Sequence, residues 1–135
     1  MNFKNSVILI TGASSGIGYQ LVKDLALEGA KLALLSRRIE LLDSLASDLK
    51  DQIIIHNYRC NVTNKVEVAE TISKVKKDFG KIDIAILNSG VAFRSSVLDY
   101  KSEEAEKTFN TNVLGAVYCI EQLLPDFISE QHGAI

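Results

Sequence analysis

The sequence predicts an α/β protein on a doubly wound, all-parallel sheet, and three observations carry that expectation. Short apolar runs rich in β-branched residues alternate four times with longer segments of helical period, the pattern of βαβ units. The fourth run contains Ile84, Ala85, Ile86 and Leu87 in succession, as in a strand covered by helices on both faces. A glycine-rich octet directly follows the first run and directly opens the first helical segment, where such folds bind ligands.

Strands are expected at Val7–Thr11, Lys31–Ser36, Ile53–Arg59 and Ile82–Leu87. In the first helix Ile17, Leu21, Val22 and Leu25 share one face, and Gly29 sits where a left-handed cap is wanted. The second, near Ile39–Lys50, spaces Leu41, Leu42, Leu45, Ala46 and Leu49 by threes and fours. Asn64 is the expected N-cap of the third, with Glu67 three residues on, then Val68, Ile72, Val75 and Phe79 before Gly80. A fourth, longer helical segment should open at Ser102, where Glu103 and Glu104 suit the positive end of the dipole, and run to about Phe127 with a bend near Gly115. Right-handed crossovers give the strand order 3-2-1-4, which places Gly12–Gly18 and Asn88–Gly90 on one rim.

With 135 residues the chain has room for one domain, and no repeat or linker divides it. Its 47% hydrophobic and 24% charged content is ordinary globular composition, which argues against disorder. Fifteen basic against seventeen acidic residues leave a net charge of −2, without the positive field that drives nucleic-acid binding. Cys60 and Cys119 lie far apart and fit a reducing compartment, so a cytoplasmic protein is expected. The run Val7–Ile10 falls far short of the ~20 residues of a membrane span, so no membrane partner is expected. Neither His56 nor His132 has a nucleophile or metal-ligand partner nearby in sequence, and no metal site is expected.

The octet is Thr11-Gly12-Ala13-Ser14-Ser15-Gly16-Ile17-Gly18. Its glycines permit a tight turn and close backbone approach to a pyrophosphate, which the N–H groups of the helix start attract. It resembles the cofactor loop of the short-chain dehydrogenase/reductase family, and further matches follow in order. Asn88-Ser89-Gly90 resembles that family's Asn-Ala-Gly signature, with Leu87 where a second Asn is common. Asn112-Val113-Leu114-Gly115 resembles its Asn-x-x-Gly, whose Asn helps organise a catalytic lysine through a water; Asn110 fits less well. Cys60-Asn61-Val62-Thr63 resembles a segment that holds adenine, with Asn61 in place of the usual Asp.

The resemblance spans Val7 to Ile135 and implies an NAD(P)-binding Rossmann-like fold. It implies cofactor-binding roles for Thr11, Gly12, Ser14, Ser15, Gly16, Ile17, Gly18, Asn61, Val62, Asn88, Ser89 and Gly90, with Asn112 on the catalytic side. Cofactor choice is read after the second strand, where a carboxylate would bond the ribose 2′-OH of NAD and an Arg would accept the 2′-phosphate of NADP. Here Ser36-Arg37-Arg38 stands without a carboxylate, so Arg37 is the candidate and NADP is preferred over NAD, with Ser14 and Ser15 as added donors.

The implied reaction is hydride transfer between nicotinamide and a carbonyl or alcohol carbon of a small molecule, with a Tyr moving the proton beside a Lys and a Ser. In that family all three follow the fifth strand, and Gly133-Ala134-Ile135 resembles the lead-in to it. The expectation is therefore a single domain over 1–135, truncated after about four β/α units and inactive alone. The alternative is a non-catalytic dinucleotide-binding module or inactive fragment; a methyltransferase-like fold for an adenosyl donor fits Gly16-Ile17-Gly18 less well. Tyr19 and Lys23 share the Tyr-x-x-x-Lys spacing, but within the first helix this is one helical turn and not the catalytic pair. Val91–Tyr100, with Phe93 and Arg94, reads as a surface loop. An uncovered edge on the fourth strand should drive self-association, and a homo-oligomer fits the family resemblance of the long helix.

Overall fold

The computed structural model describes residues 3–49, 53–94 and 96–135. Four parallel strands, β1 (Val7–Thr11), β2 (Lys31–Ser36), β3 (Ile55–Arg59) and β4 (Ile84–Leu87), form one sheet in the order β3-β2-β1-β4. Helices α1 (Gly16–Leu27), α2 (Ile39–Leu49) and α3 (Lys65–Phe79) connect them. After β4 come α4 (Ser102–Phe109), a π-helical turn over Asn110–Leu114, and α5 (Gly115–Glu130). The expected doubly wound topology and strand order are both found.

Side-chain alternation divides the core into two layers. Ile8, Ile10, Leu32 and Leu34 point to the face covered by α1 and α2, where they meet Val22, Leu25, Leu42 and Leu45. Leu9, Ala33, Leu35 and Ala85 point to the other face, against Val68, Ile72 and Val75 of α3 and Cys119 and Leu123 of α5. All five residues of β1 are buried, which accounts for the unbroken apolarity of that run.

Two strands start later than the apolar runs suggest. Pairing in β3 begins at Ile55 opposite Leu32, and pairing in β4 begins at Ile84 opposite Ile8. Ile53 and Ile82 instead pack against the core outside the ladder. The expected end of the second helix at Lys50 lies outside the described residues, as does Ser95 of the loop after β4.

The third helix is capped by Asn64, whose Oδ1 accepts from the N–H groups of Val66 and Glu67 at 3.1 and 3.2 Å. Glu67 does not close the box on its cap residue. Its carboxylate accepts from the Asn61 N–H at 3.0 Å instead, tying α3 to the turn after β3. The expected fourth helix is interrupted by the π-helical turn, which ends just before Gly115. Gly115 is needed there because a Cβ would stand 2.8 Å from Val62 Cγ2. Helix α5 is pinned to α3 by Lys65–Glu121 at 2.8 Å and Lys76–Asp126 at 2.6 Å.

At the N-terminal end of the sheet Asp83 is buried and accepts from the Val7 N–H at 2.9 Å. Lys81 lies 2.6 Å and His132 3.4 Å from its other oxygen. Burial alone would raise this carboxyl's pKa; the Lys81 hydrogen bond, the Val7 N–H and the charges of Lys81 and His132 outweigh it and hold the group below its ordinary value. Ala134 forms a single parallel bridge to Ile84, so the chain begins to cover the outer edge of β4. Phe109, Val113, Val117, Leu124 and Ile128 remain exposed along α4, the π-helical turn and α5.

Candidate functional site

The C-terminal ends of β1, β2 and β4 open onto a cavity of about 320 Å³. From the glycine octet, Gly12, Ser14, Ser15, Gly16 and Ile17 line it; from the other predicted positions, Arg37, Asn61, Val62, Asn88, Ser89 and Gly90 do. Three predicted residues do not line it. Thr11 is buried and accepts from the Ser89 N–H at 3.0 Å. Gly18 packs where a Cβ would run into the Gly12 carbonyl and stand 2.6 Å from Asn88 Nδ2. Asn112 clamps the chain after β4, accepting from the Val91 N–H at 2.8 Å and donating to the Val91 carbonyl at 2.9 Å.

Local geometry follows from the glycines. Gly12 and Gly16 have φ of +66° and +58°, in the left-handed region that disfavours any other residue. Gly12 also lets the turn approach β4, for a Cβ there would meet Ser89 Cα at 2.9 Å. Asn88 Nδ2 donates to the carbonyls of Thr11 and Gly12 at 3.4 and 3.3 Å, so the segment just after β4 holds the loop from the side. Ser15 stands at the N-cap of α1 but makes no side-chain cap bond, and the first turn holds no acidic residue. The N–H groups at this helix start therefore keep their attraction for an anion.

The positive charge on the rim is arranged differently from the sequence reading. Arg37 lines the cavity, but the adjacent Arg38 is the one bonded to the loop: its Nη2 donates to Ser15 Oγ at 2.7 Å and to Ser14 Oγ at 3.1 Å. Ser36 Oγ donates to Ser14 Oγ at 2.9 Å and accepts from the Arg38 N–H at 3.1 Å. This four-residue cluster was only partly visible in the sequence, since nothing there decides which of two neighbouring arginines turns inward. Val91, Thr111 and Cys60 are further lining residues that sequence reasoning missed. Burial, offset in part by a hydrogen bond with Thr71, pushes the Cys60 thiol up to about 11, so it is a protonated wall group.

Asn61 turns its Oδ1 to the N–H and hydroxyl of Thr63, at 3.2 and 3.0 Å, and thereby shapes the turn beside Val62. Tyr19 and Lys23 interact with each other, the ammonium 5.6 Å from the ring centroid, and neither lines the cavity. His56 and His132 face Asp78 and Asp83, away from the rim. Among the described residues no group of three or more His, Cys, Asp or Glu side chains converges, and no helix is long and apolar enough to cross a membrane.

The arrangement has known counterparts. An uncharacterized oxidoreductase of Staphylococcus haemolyticus is 37% identical over 129 residues, covering 96% of this chain and 55% of that protein. One from Listeria monocytogenes is 35% identical over 138 residues, covering the whole chain and 55% of its own length. NAD+-bound xylitol dehydrogenase superposes with a TM-score of 0.92 at 31% identity, over 98% of this chain and 52% of that one. The alcohol dehydrogenase of Thermococcus sibiricus, complexed with 5-hydroxy-NADP, gives 0.90 at 27% identity, over 97% and 57%. The chain thus spans about half the length of the relatives it matches. The family model for short chain dehydrogenases matches residues 6–135, and with the strand order and the loop-to-β4 contacts already described, this chain belongs to that family.

Proposed function

We propose that the chain is a single dinucleotide-binding domain of an NADP(H)-preferring oxidoreductase that moves a hydride between nicotinamide and a carbonyl or alcohol carbon of a small molecule, in the cytoplasm. The observation that carries the cofactor preference is the rim formed by Arg37 and Arg38 after β2 and by Ser14 and Ser15 of the glycine loop, with no carboxylate lining the cavity among the described residues. The residues fit a dinucleotide: an uncapped helix start, left-handed glycines and open space where a Cβ on Gly16 would stand. When bound, the nicotinamide supplies the hydride chemistry. The first turn of α1 would take the pyrophosphate, Arg37 and Arg38 the 2′-phosphate, and Asn61 and Val62 the adenine side. Asn88, Thr11 and Gly18 hold the loop in shape, and Asn112 positions the backbone at Val91.

A second reading, a binding module without turnover, is supported by one observation: among the described residues no Tyr or Lys lines the cavity. Both readings need dinucleotide binding. Fluorescence titration with NADPH and NADH is the test, and NADPH is expected to bind more tightly. Each charge-assisted bond to the 2′-phosphate is worth about 1.5–3 kcal/mol, roughly ten- to a hundredfold in affinity, so Arg38→Ala and Arg37→Ala should erode the preference. Equal affinities for the two nucleotides, or an unchanged preference in both variants, would overturn it.

A further inference from the structure

Of the five residues of the π-helical turn, Thr111 alone lines the cavity at the strand ends, where it is partly buried. A threonine within a helix ordinarily returns its hydroxyl to the carbonyl four residues back, as Thr108 does to Glu104 at 2.8 Å. Thr111 makes no such bond, and among the described residues its hydroxyl has no hydrogen-bond partner. The backbone changes pitch at this point. The Asn110 N–H is shared between the Glu106 and Lys107 carbonyls, and the Gly115 N–H reaches back five residues to the Asn110 carbonyl.

The turn is tied on both sides of the cavity wall. Asn112 exchanges two bonds with Val91 and lies 3.5 Å from where a Cβ on Gly90 would stand, while Gly115 packs on Val62. Thr111, in the same turn, is held on the wall between the chain after β4 and the Val62 turn. The wider pitch lets both anchors be met while its side chain faces the cavity, a use to which π-turns are often put at functional sites. An unpartnered hydroxyl adds nothing to the fold of the free chain, so its hydrogen bonding is left for whatever fills the cavity. It can donate and accept at once, which matches a ligand hydroxyl, whereas a phosphate oxygen only accepts.

We propose that Thr111 is a further cofactor-binding residue whose hydroxyl bonds a hydroxyl of the adenosine ribose, beside the Val62 turn; this rests on the dinucleotide reading of the cavity given above. Thr111→Val keeps the side chain's shape and branching and removes only the hydroxyl. Calorimetric titration of the chain uses NADPH, NADH and 2′,5′-ADP, which carries the adenosine half without nicotinamide. All three should bind about three- to tenfold more weakly to Thr111→Val, as for one neutral hydrogen bond, with the ratio of NADPH to NADH affinity unchanged. Thr111→Ser should restore wild-type binding, and the melting temperature of free Thr111→Val should match the wild type. A lowered melting temperature with a loss that Thr111→Ser does not rescue makes the residue structural and overturns its binding role. Wild-type affinity for all three ligands in Thr111→Val overturns the proposal and leaves the dinucleotide reading standing. A loss for NADPH and NADH that spares 2′,5′-ADP overturns the assignment to the adenosine half. Wild-type chain that binds none of the three overturns the dinucleotide reading and this assignment with it.

Discussion

Replacing Asp83 separates two things one carboxylate does at the base of the sheet. Its side chain is 7% exposed and accepts from the Val7 N–H, while its ion-pair partners, Lys81 and His132, have side chains 53% and 66% exposed. Asp83→Asn keeps an acceptor for Val7 and loses only the screened ion pairs, a cost of about 0.5–1 kcal/mol. Asp83→Leu also strands a buried N–H, which adds about 1–3 kcal/mol. At about 4 °C per kcal/mol for a domain of this size, the melting temperature should fall by roughly 2–4 °C in the first variant and roughly 6–16 °C in the second. Circular dichroism melts decide this. The sign with pH also follows: a carboxyl held below its ordinary pKa contributes stability that is fully present above the ordinary value and is lost as the pH falls through the folded one. The gap between wild type and Asp83→Asn should therefore close in acid. A Leu variant that melts with the wild type, an Asn variant as damaged as the Leu variant, or a gap that widens in acid would refute the reasoning. Asp83 precedes β4 at the end of the sheet away from the cavity, so NADPH affinity of the folded fraction should be unchanged in both.

Gly18→Ala forces a Cβ against the Gly12 carbonyl and Asn88 Nδ2, and should cost about 1–3 kcal/mol of stability together with most of the NADPH affinity; a folded variant with full affinity would contradict the packing described. Burial pushes Cys60 up to about 11 and Cys119 up to about 12, so both thiols should react with Ellman's reagent far more slowly than a free cysteine; rapid labelling of the native protein at neutral pH would show otherwise. The exposed apolar row of Phe109, Val113, Val117, Leu124 and Ile128 should make the 135-residue chain self-associate, and a sharp monomer by light scattering would exclude this.

Much of the fold was legible because parallel strands buried on both faces must be apolar throughout, and β1 and β4 read that way. Strand ends were less legible, since Ile53 and Ile82 are apolar because they pack against the core, while pairing starts only at Ile55 opposite Leu32 and at Ile84 opposite Ile8. The π-helical turn has the same apolar spacing as the helix around it, so the sequence signals only a bend at Gly115. Most predicted site positions line one cavity because glycine spacing is a direct record of backbone need. The inward turn of Arg38 is not such a record; it depends on the hydroxyls of Ser14 and Ser15, which lie 24 and 23 residues earlier in the chain.

Gly12, Gly18 and Asn88 crowd one another where the loop meets the end of β4, with no room for a Cβ on Gly18 between the other two. A single substitution at any of them meets the unaltered pair, so an evolving lineage cannot exchange them one at a time without passing through a misfit intermediate. Among homologous chains these three positions should change together or stay fixed, and a lineage that had traded Asn88 for a bulkier residue should carry a matching rearrangement of the glycine loop.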